Sequence, residues 1–159
     1  MTLEETLLQK LAEFRPQGSD RQNLAVSDDE TGCSITLSID RNDDLSCALW
    51  EMSQRSRSPL SERGLDLKRW ADKVAGQVRG LLEPLRVIEI DERRDEALIR
   101  SDEPTARKDE RYYYELRLDG SGSALVRRYC GTTEVGRRRQ VAFTLTHEAV
   151  AKLAADLAF

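Results

Sequence analysis

The side chains that could carry chemistry are few, and we can assign no catalytic pattern to their spacing. His147 is the only histidine in the 159 residues, and neither Ser121 nor Cys130 has the sequence context of a nucleophile elbow. The other two cysteines, Cys33 and Cys47, complete no CxxC pair, so neither a disulfide framework nor a zinc site is indicated. We therefore expect no catalytic residue, cofactor or metal, although an enzyme without a recognisable motif is an alternative interpretation.

One acidic segment partly matches a calcium-binding loop. Asp40, Asn42, Asp44 and Glu51 occupy positions 1, 3, 5 and 12 of such a loop. Position 6 is Leu45, where the loop needs a glycine for its sharp bend, and the flanking residues are typical of strands rather than helices. A hairpin turn explains the same residues, because Asn and Asp favour turns.

The stretch Arg111–Cys130 contains all four tyrosines, and its two alternating runs flank a turn at 119–122. This pattern predicts an antiparallel hairpin. A loop of two or four residues would pair Tyr114 with Arg127, whereas a loop of three would pair Glu115 with Arg127. The register decides which side chains share a face, and the sequence leaves both registers open.

In the first of these registers, tyrosines and arginines share one face of the sheet. Such a face can stack bases and contact phosphates, and the same residue types are enriched at protein interfaces. Cross-strand aromatic pairs also stabilise a sheet, so packing alone is a sufficient role for the tyrosines. The candidate binding surface consists of Tyr112, Tyr114, Arg127, Arg128, Tyr129, Arg137, Arg138 and Arg139.

The net charge of −4 hides an uneven distribution along the chain. Residues 1–59 contain eleven acids and six bases, whereas residues 105–140 contain nine bases and five acids. The basic segment could attract an anionic partner, or the two segments could attract each other. The acidic overall charge favours a protein partner over a nucleic acid.

The N-terminal sequence and the cysteines both bear on the compartment. Glu4 and Glu5 stand where a signal peptide would be basic, and the sequence has no apolar run of the ~18 residues that a membrane crossing needs. An odd number of cysteines is unusual for a secreted disulfide framework. We expect a cytoplasmic protein with no membrane association.

Hydrophobic periodicity predicts a single α+β domain over residues 1–159, with helices at the N-terminus, the centre and the C-terminus. We expect an antiparallel meander of about five to eight strands, in the order α-β-β-β-α-β-β-β-β-β-α. The first helix begins with a capping box formed by Thr2 and Glu5. The predicted helices are 3–15, 59–82 and 147–157, and the predicted strands are 23–27, 33–39, 45–52, 86–90, 96–101, 111–118, 123–130 and 138–145.

Two glycines, Gly76 and Gly80, form a GxxxG pattern inside the predicted central helix. Each glycine costs about 1 kcal/mol relative to alanine in a helix interior. The pair therefore predicts a helix face that another backbone approaches closely, either from the sheet or from the helix of a partner.

The order of elements in the first half of the chain, one helix, three strands and a second helix, is similar to that of small acidic secretion-chaperone-like domains. This resemblance is one of element order, and it implies a homodimer that binds other proteins. We therefore expect a non-enzymatic protein-binding or adaptor domain, with a protein partner or a second copy of the chain. A nucleic-acid-binding module that uses the tyrosine and arginine face is the alternative.

Overall fold

The computed structural model describes residues 1–132 and 136–159 and has the predicted α+β class. The order of helices and strand groups is also confirmed. The helices are Leu3–Glu13 (α1), Leu67–Gln77 (α2) and His147–Leu157 (α3), with a 3-10 helix at Leu60–Arg63. The strands are Gln22–Asp28 (β1), Cys33–Asn42 (β2), Ser46–Ser56 (β3), Leu85–Asp91 (β4), Glu96–Ser101 (β5), Thr105–Arg107 (β6), Glu110–Asp119 (β7), Ala124–Thr132 (β8), Arg138–Val141 (β9) and Phe143–Thr146 (β10).

All strand pairs are antiparallel and belong to one sheet with the order β1-β2-β3-β8-β7-β5-β4. Three shorter strands pair beside this path: β6 with β7, β9 with β8, and β10 with β3. The predicted strand 138–145 is therefore two strands. Its first half bonds to β8, its second half bonds to β3, and Ala142 lies between the halves.

Local side-chain signals set the first residues of α1 and α3, which are the predicted ones, whereas α1 ends at Glu13 rather than at residue 15. The Thr2 hydroxyl accepts from the N–H of Glu5 at 3.1 Å, and the Glu5 carboxylate accepts from the N–H of Thr2 at 3.0 Å. These two bonds complete the capping box. The Thr146 hydroxyl similarly accepts from the N–H of Ala149 at the start of α3.

The prediction of one long helix over 59–82 is wrong. Gly64 adopts φ +65° and ends the 3-10 helix, so this short helix is separate from α2. The Asp66 side chain then caps α2 by accepting from the N–H of Arg69 at 2.7 Å. The helix ends at Gln77, and Val78 is already extended. Glycine and the capping aspartate outweigh the apolar periodicity on either side of them.

One face of the sheet carries the hydrophobic core, to which all three helices contribute. Trp70 of α2 is fully buried, and its indole N–H donates to the carbonyl of Leu157 at 3.1 Å. Buried and partly exposed side chains alternate along β2, as expected for a half-buried strand, whereas β3, β7 and β8 each contain a run of three consecutive buried residues. Along the described chain, the helices fall short of the length and hydropathy that a membrane crossing requires.

The other face of the sheet, which we call the open face, carries the side chains that alternate with the core. Its two leucines, Leu98 and Leu125, do not belong to the hydrophobic cluster that contains the helices. The half formed by β1, β2 and β3 is rich in serine and threonine, and the half formed by β8, β7 and β5 is rich in charged residues and tyrosine. According to the strand register, the residues whose side chains lie on the open face are Asn23, Ala25, Ser27, Ser34, Thr36, Ser38, Glu51, Ser53, Arg55, Arg86, Glu89, Asp91, Glu96, Leu98, Arg100, Tyr113, Glu115, Arg117, Asp119, Leu125, Arg127, Tyr129, Arg138 and Gln140.

Candidate functional site

The hairpin between β7 and β8 has a three-residue loop, 120–122. The N–H of Asp119 donates to the carbonyl of Ser123 at 3.0 Å and closes the loop. Gly122 adopts φ +90°, the left-handed conformation typical of the last residue in a three-residue hairpin loop. The loop length selects the second of the two registers that the sequence allows.

This register separates the predicted binding residues. Tyr113 lies opposite Tyr129, and Tyr114 lies opposite Arg128. The register in which Tyr114 would share a face with Tyr129 is therefore wrong, because a shift of one residue turns every side chain to the other face. On the core side lie Tyr112, Tyr114, Arg128 and Arg139, on the open face lie Arg127, Tyr129 and Arg138, and Arg137 is exposed just before β9.

On the core side, Arg128 forms a buried ion pair with Glu83. The two guanidinium nitrogens lie 2.9 and 3.0 Å from the two carboxylate oxygens, and both residues are at least 94% buried. Glu83 also accepts from the hydroxyls of Ser101 and Thr105, each at 2.7 Å. Burial by itself raises the pKa of Glu83, but these hydrogen bonds outweigh it and lower the pKa below its usual range. Arg128 is therefore a structural residue.

On the open face, a group that we call the arginine cluster surrounds one buried carboxylate. The Glu115 side chain is only 2% exposed and accepts from Arg138 at 2.8 and 3.3 Å and from Arg100 at 3.0 Å. Arg117 lies 3.5 Å from the same carboxylate. Burial alone would raise the pKa of Glu115, but the arginine hydrogen bonds lower it overall. The cluster is defined as Arg100, Arg117, Arg127 and Arg138 around Glu115.

The arginine cluster carries more positive charge than its carboxylates neutralise. Arg127 pairs with Glu51 at 3.4 Å, which leaves Arg100, Arg117 and Arg138 to share Glu115. Between 33% and 50% of each of these three side chains is exposed. Their guanidinium groups can therefore meet a carboxylate or another oxyanion from outside.

The tyrosine rings of the open face pack against this cluster. The guanidinium of Arg138 lies 3.8 Å from the ring centroid of Tyr129, and the ring centroids of Tyr113 and Tyr129 are 6.0 Å apart. Arg138 also donates to the Tyr113 hydroxyl at 3.3 Å. Because Arg138 covers Tyr129, which is 8% exposed, the two rings form no free stacking platform.

Acidic residues gather at one corner of the open face, next to the arginine cluster. Glu89, Asp91 and Glu96 line a small groove of about 220 Å³ near the turn between β4 and β5, together with Arg94, which lies 3.9 Å from Asp91, and Arg117 of the cluster. A larger open groove of about 640 Å³ crosses the same end of the sheet, between Arg55 and Arg117. The open face is thus patterned in charge, with arginines at its centre and carboxylates at one corner.

The single histidine serves the fold. His147 is 5% exposed, and its Nε2 lies 2.8 Å from the Asn42 side-chain oxygen. The Asn42 amide nitrogen donates to the carbonyls of Leu11 and Phe14, each at 2.9 Å. Asn42 therefore connects the end of α1 with the start of α3.

We expect Asn42→Ala to lower the free energy of unfolding by about 1–3 kcal/mol, because it leaves buried polar groups without partners. Urea unfolding measures this loss. The exposed Asn23 provides the control, and Asn23→Ala should change stability by less than about 0.5 kcal/mol. Equal effects of the two substitutions would contradict the connecting role of Asn42.

The remaining candidates for chemistry are engaged elsewhere or buried. Asp40 of the calcium-like segment pairs with Arg21 at 2.6 Å. Within residues 1–132 and 136–159, no three His, Cys, Asp or Glu side chains are grouped so that they could hold a metal ion. Burial raises the pKa of the Cys47 thiol to about 12 and also raises that of Cys33, so neither is a ready nucleophile.

The two glycines of the GxxxG pattern do not lie on one helix face. Gly76 is on α2, but Gly80 follows the end of that helix. A Cβ atom at Gly76 would meet nothing within 4 Å, and one at Gly80 would be 3.8 Å from Ala149. Within residues 1–132 and 136–159, no backbone approaches either glycine closely, and contact with a second copy stays a prediction.

Comparisons of the chain with protein-family models, with curated proteins and with solved structures found no match. The functional interpretation therefore depends on the geometry of the open face. Among the members of the two charged groups, the predicted binding surface did not include Glu83, Arg100, Tyr113, Glu115 and Arg117. The alternation around Glu115 could have indicated Tyr113, whereas the partners of Arg128 and Glu115 come from distant segments that no local pattern connects.

Proposed function

We propose that this protein is a non-enzymatic binding domain whose partner is another protein that lies across the open face. The observation that carries the proposal is the charge pattern of that face, with a partly exposed arginine cluster and an adjoining acidic corner. Arginine and tyrosine are the residue types that most often dominate protein interfaces. A partner surface of complementary pattern would place carboxylates over the arginines and cations over the acidic corner.

The same pattern disfavours the nucleic-acid alternative, which stays a prediction. A nucleic acid needs a continuous positive surface and, for single strands, exposed rings on which bases stack. On the open face, Glu89, Asp91 and Glu96 would repel a phosphate backbone that extends beyond the cluster. Tyr129 is covered by Arg138, and Tyr114 lies in the core.

The buried histidine and the raised pKa values of two cysteines support a role without catalysis. The described cysteines are free and buried, which favours a reducing compartment. We therefore propose that the protein is cytoplasmic. The implied homodimer also belongs to this proposal.

Charge removal in the arginine cluster is the decisive test. Arg100→Gln together with Arg117→Gln should reduce partner binding about tenfold or more, since truncating a hot-spot residue costs about 2 kcal/mol. Affinity purification from cells of the source organism, with quantitative mass spectrometry, identifies proteins retained by the wild type. The binding of a retained protein to each variant is then measured by calorimetry.

The matched control is Arg69→Gln together with Arg79→Gln, which removes the same charge from exposed positions outside the sheet. Proteins that bind the wild type and this control, but not the open-face variant, would support the proposal. If no protein distinguishes the two variants, the proposal fails. Salt-sensitive binding of a single-stranded oligonucleotide that requires Arg100 and Arg117 would instead favour the nucleic-acid alternative.

A further inference from the structure

The two edges of the sheet differ in how they are protected against another strand. At one edge, β4 has a register shift between Val87 and Glu89 and also carries Arg86 and Asp91. Bulges and charged side chains are the usual means by which proteins prevent pairing at an edge. The β4 edge is therefore blocked.

The edge formed by β1 has no register shift, and its one charged residue is Asp28 at its end. Residues 22–27 are uncharged and contain no proline, and all seven residues of β1 pair with β2 in an unbroken register. Among the described residues, no strand pairs with the outer side of β1. In an antiparallel strand, every second residue directs its N–H and C=O away from its neighbour, so β1 presents a row of free backbone groups.

We propose that β1 pairs antiparallel with β1 of a second copy of this chain, about a two-fold axis at Ala25. This inference deepens the homodimer part of the proposed function and does not depend on what binds the open face. In a pairing about Ala25, the numbers of the two residues that face each other sum to 50, so odd-numbered residues face odd-numbered ones and even face even. Backbone N–H and C=O groups that point away from β2 in one copy therefore meet groups that point away from β2 in the other copy.

The side chains of β1 are complementary to themselves in this register. On the core side, Leu24 would lie opposite Val26 of the second copy and extend the apolar cluster that both residues already contact. On the open face, Ala25 would lie opposite its own copy. At each end, Asp28 would face Gln22 and Arg21 would face Asp29, so no like charges meet from residue 21 to residue 29.

The dimer would join the two sheets into one continuous sheet. Their open faces would lie on the same side, with the serine- and threonine-rich halves in the middle. The arginine clusters, on β5, β7, β8 and β9, would stand on either side of that middle. The dimer would therefore present the cluster twice to a partner, which increases its avidity.

Light scattering of the intact chain over a wide concentration range tests this inference. We expect a dimer for the wild type. Ala25→Lys places two like charges opposite each other and should raise the dimer dissociation constant about tenfold or more. Because Ala25 is exposed, the monomer should stay folded. Ile88→Lys, at the 39% exposed Ile88 of the other edge, is the matched control and should leave the dimer intact.

Ala25→Cys tests the axis itself. The Cα atoms of directly opposed residues in an antiparallel pair lie about 4.5–5.5 Å apart, within the range of about 4.4–6.8 Å that a disulfide spans. Oxidised glutathione should therefore link two copies, with reduction of the glutathione, whereas Asn23→Cys alone should not link, because residue 23 faces residue 27. The three native cysteines are buried and should not compete.

A wild type that stays monomeric at all concentrations would overturn the inference. A dimer that survives Ala25→Lys and is not linked through Ala25→Cys would also overturn it, since another surface would then form the dimer. Loss of partner binding on changing Arg100 and Arg117 tests the open face separately. The two experiments thus distinguish failure of the β1 dimer from failure of partner binding at the open face.

Discussion

Arg128→Met should lower the free energy of unfolding by roughly 3–5 kcal/mol, the cost of leaving one member of a buried ion pair uncompensated. The variant keeps most of the apolar stem but leaves the Glu83 carboxylate in the core. Ser101 and Thr105 would still donate to that carboxylate, but their two neutral hydrogen bonds do not replace a guanidinium. Urea unfolding, monitored by tryptophan fluorescence, measures the loss.

The pH dependence of stability gives this prediction a second readout. In the wild type, the pKa of Glu83 is lowered on folding, so its contribution is present above the unfolded pKa and is lost as the pH falls. Without Arg128, burial should raise the folded pKa instead. The stability difference between Arg128→Met and the wild type should therefore begin to shrink as the pH falls through the raised folded pKa of the variant, above the ordinary glutamate value of about 4.3, and continue to shrink down to the lowered folded pKa of the wild type.

Two further variants serve as controls for Arg128→Met. Adding Glu83→Gln should recover part of the lost stability, because the buried charge is then removed. Arg117→Met, at a side chain that is 50% exposed, should cost less than about 1 kcal/mol. If Arg128→Met costs no more than Arg117→Met, the buried pair does not have the role assigned to it.

Gly122→Ala is expected to destabilise the protein by roughly 2–4 kcal/mol, combining a left-handed backbone penalty with overpacking. Gly122 has φ +90°, which alanine adopts only under strain. Its Cβ would also lie 2.8 Å from the Ser56 Cβ and 2.9 Å from the Phe159 Cζ. Thermal and urea unfolding both measure the effect.

Gly131→Ala is the matched control for this substitution. Gly131 lies on β8, its φ is not positive, and a Cβ there meets nothing within 4 Å. Alanine at this position should be neutral or stabilise by up to about 1 kcal/mol, because glycine weakens a strand interior. Equal stabilities of the two alanine variants would show that the loop does not need glycine at residue 122.

The effect of Gly122→Ala extends to the proposed binding face. The three-residue loop sets the register of β7 and β8, and this register brings Tyr113, Glu115 and Arg117 to the same side as Arg127 and Tyr129. A variant loop of two or four residues would turn β7 over relative to β8. The arginine cluster therefore depends on the local backbone conformation at residue 122 as well as on its own ion pairs.

Much of the fold could be predicted because its signals are local. Alternation over residues 33–39 gives β2 its buried and exposed faces, since side chains of a strand point alternately to the two sides. Thr2 and Thr146 begin α1 and α3 through bonds that reach only three residues. The predicted length of the central helix is too great for an equally local reason, because Gly64 and Asp66 outweigh the apolar periodicity around them.

The sequence by itself therefore determined the α+β class, the order of elements and a hairpin at residues 111–130. Tertiary structure alone decided which side chains act together. Glu83 and Arg128 are 45 residues apart, and Arg138 reaches Glu115 across 23 residues, because strands distant in the chain are neighbours in the sheet. Local patterns report which face a residue prefers, but the packing of distant segments decides which charges meet there, and that packing formed the arginine cluster.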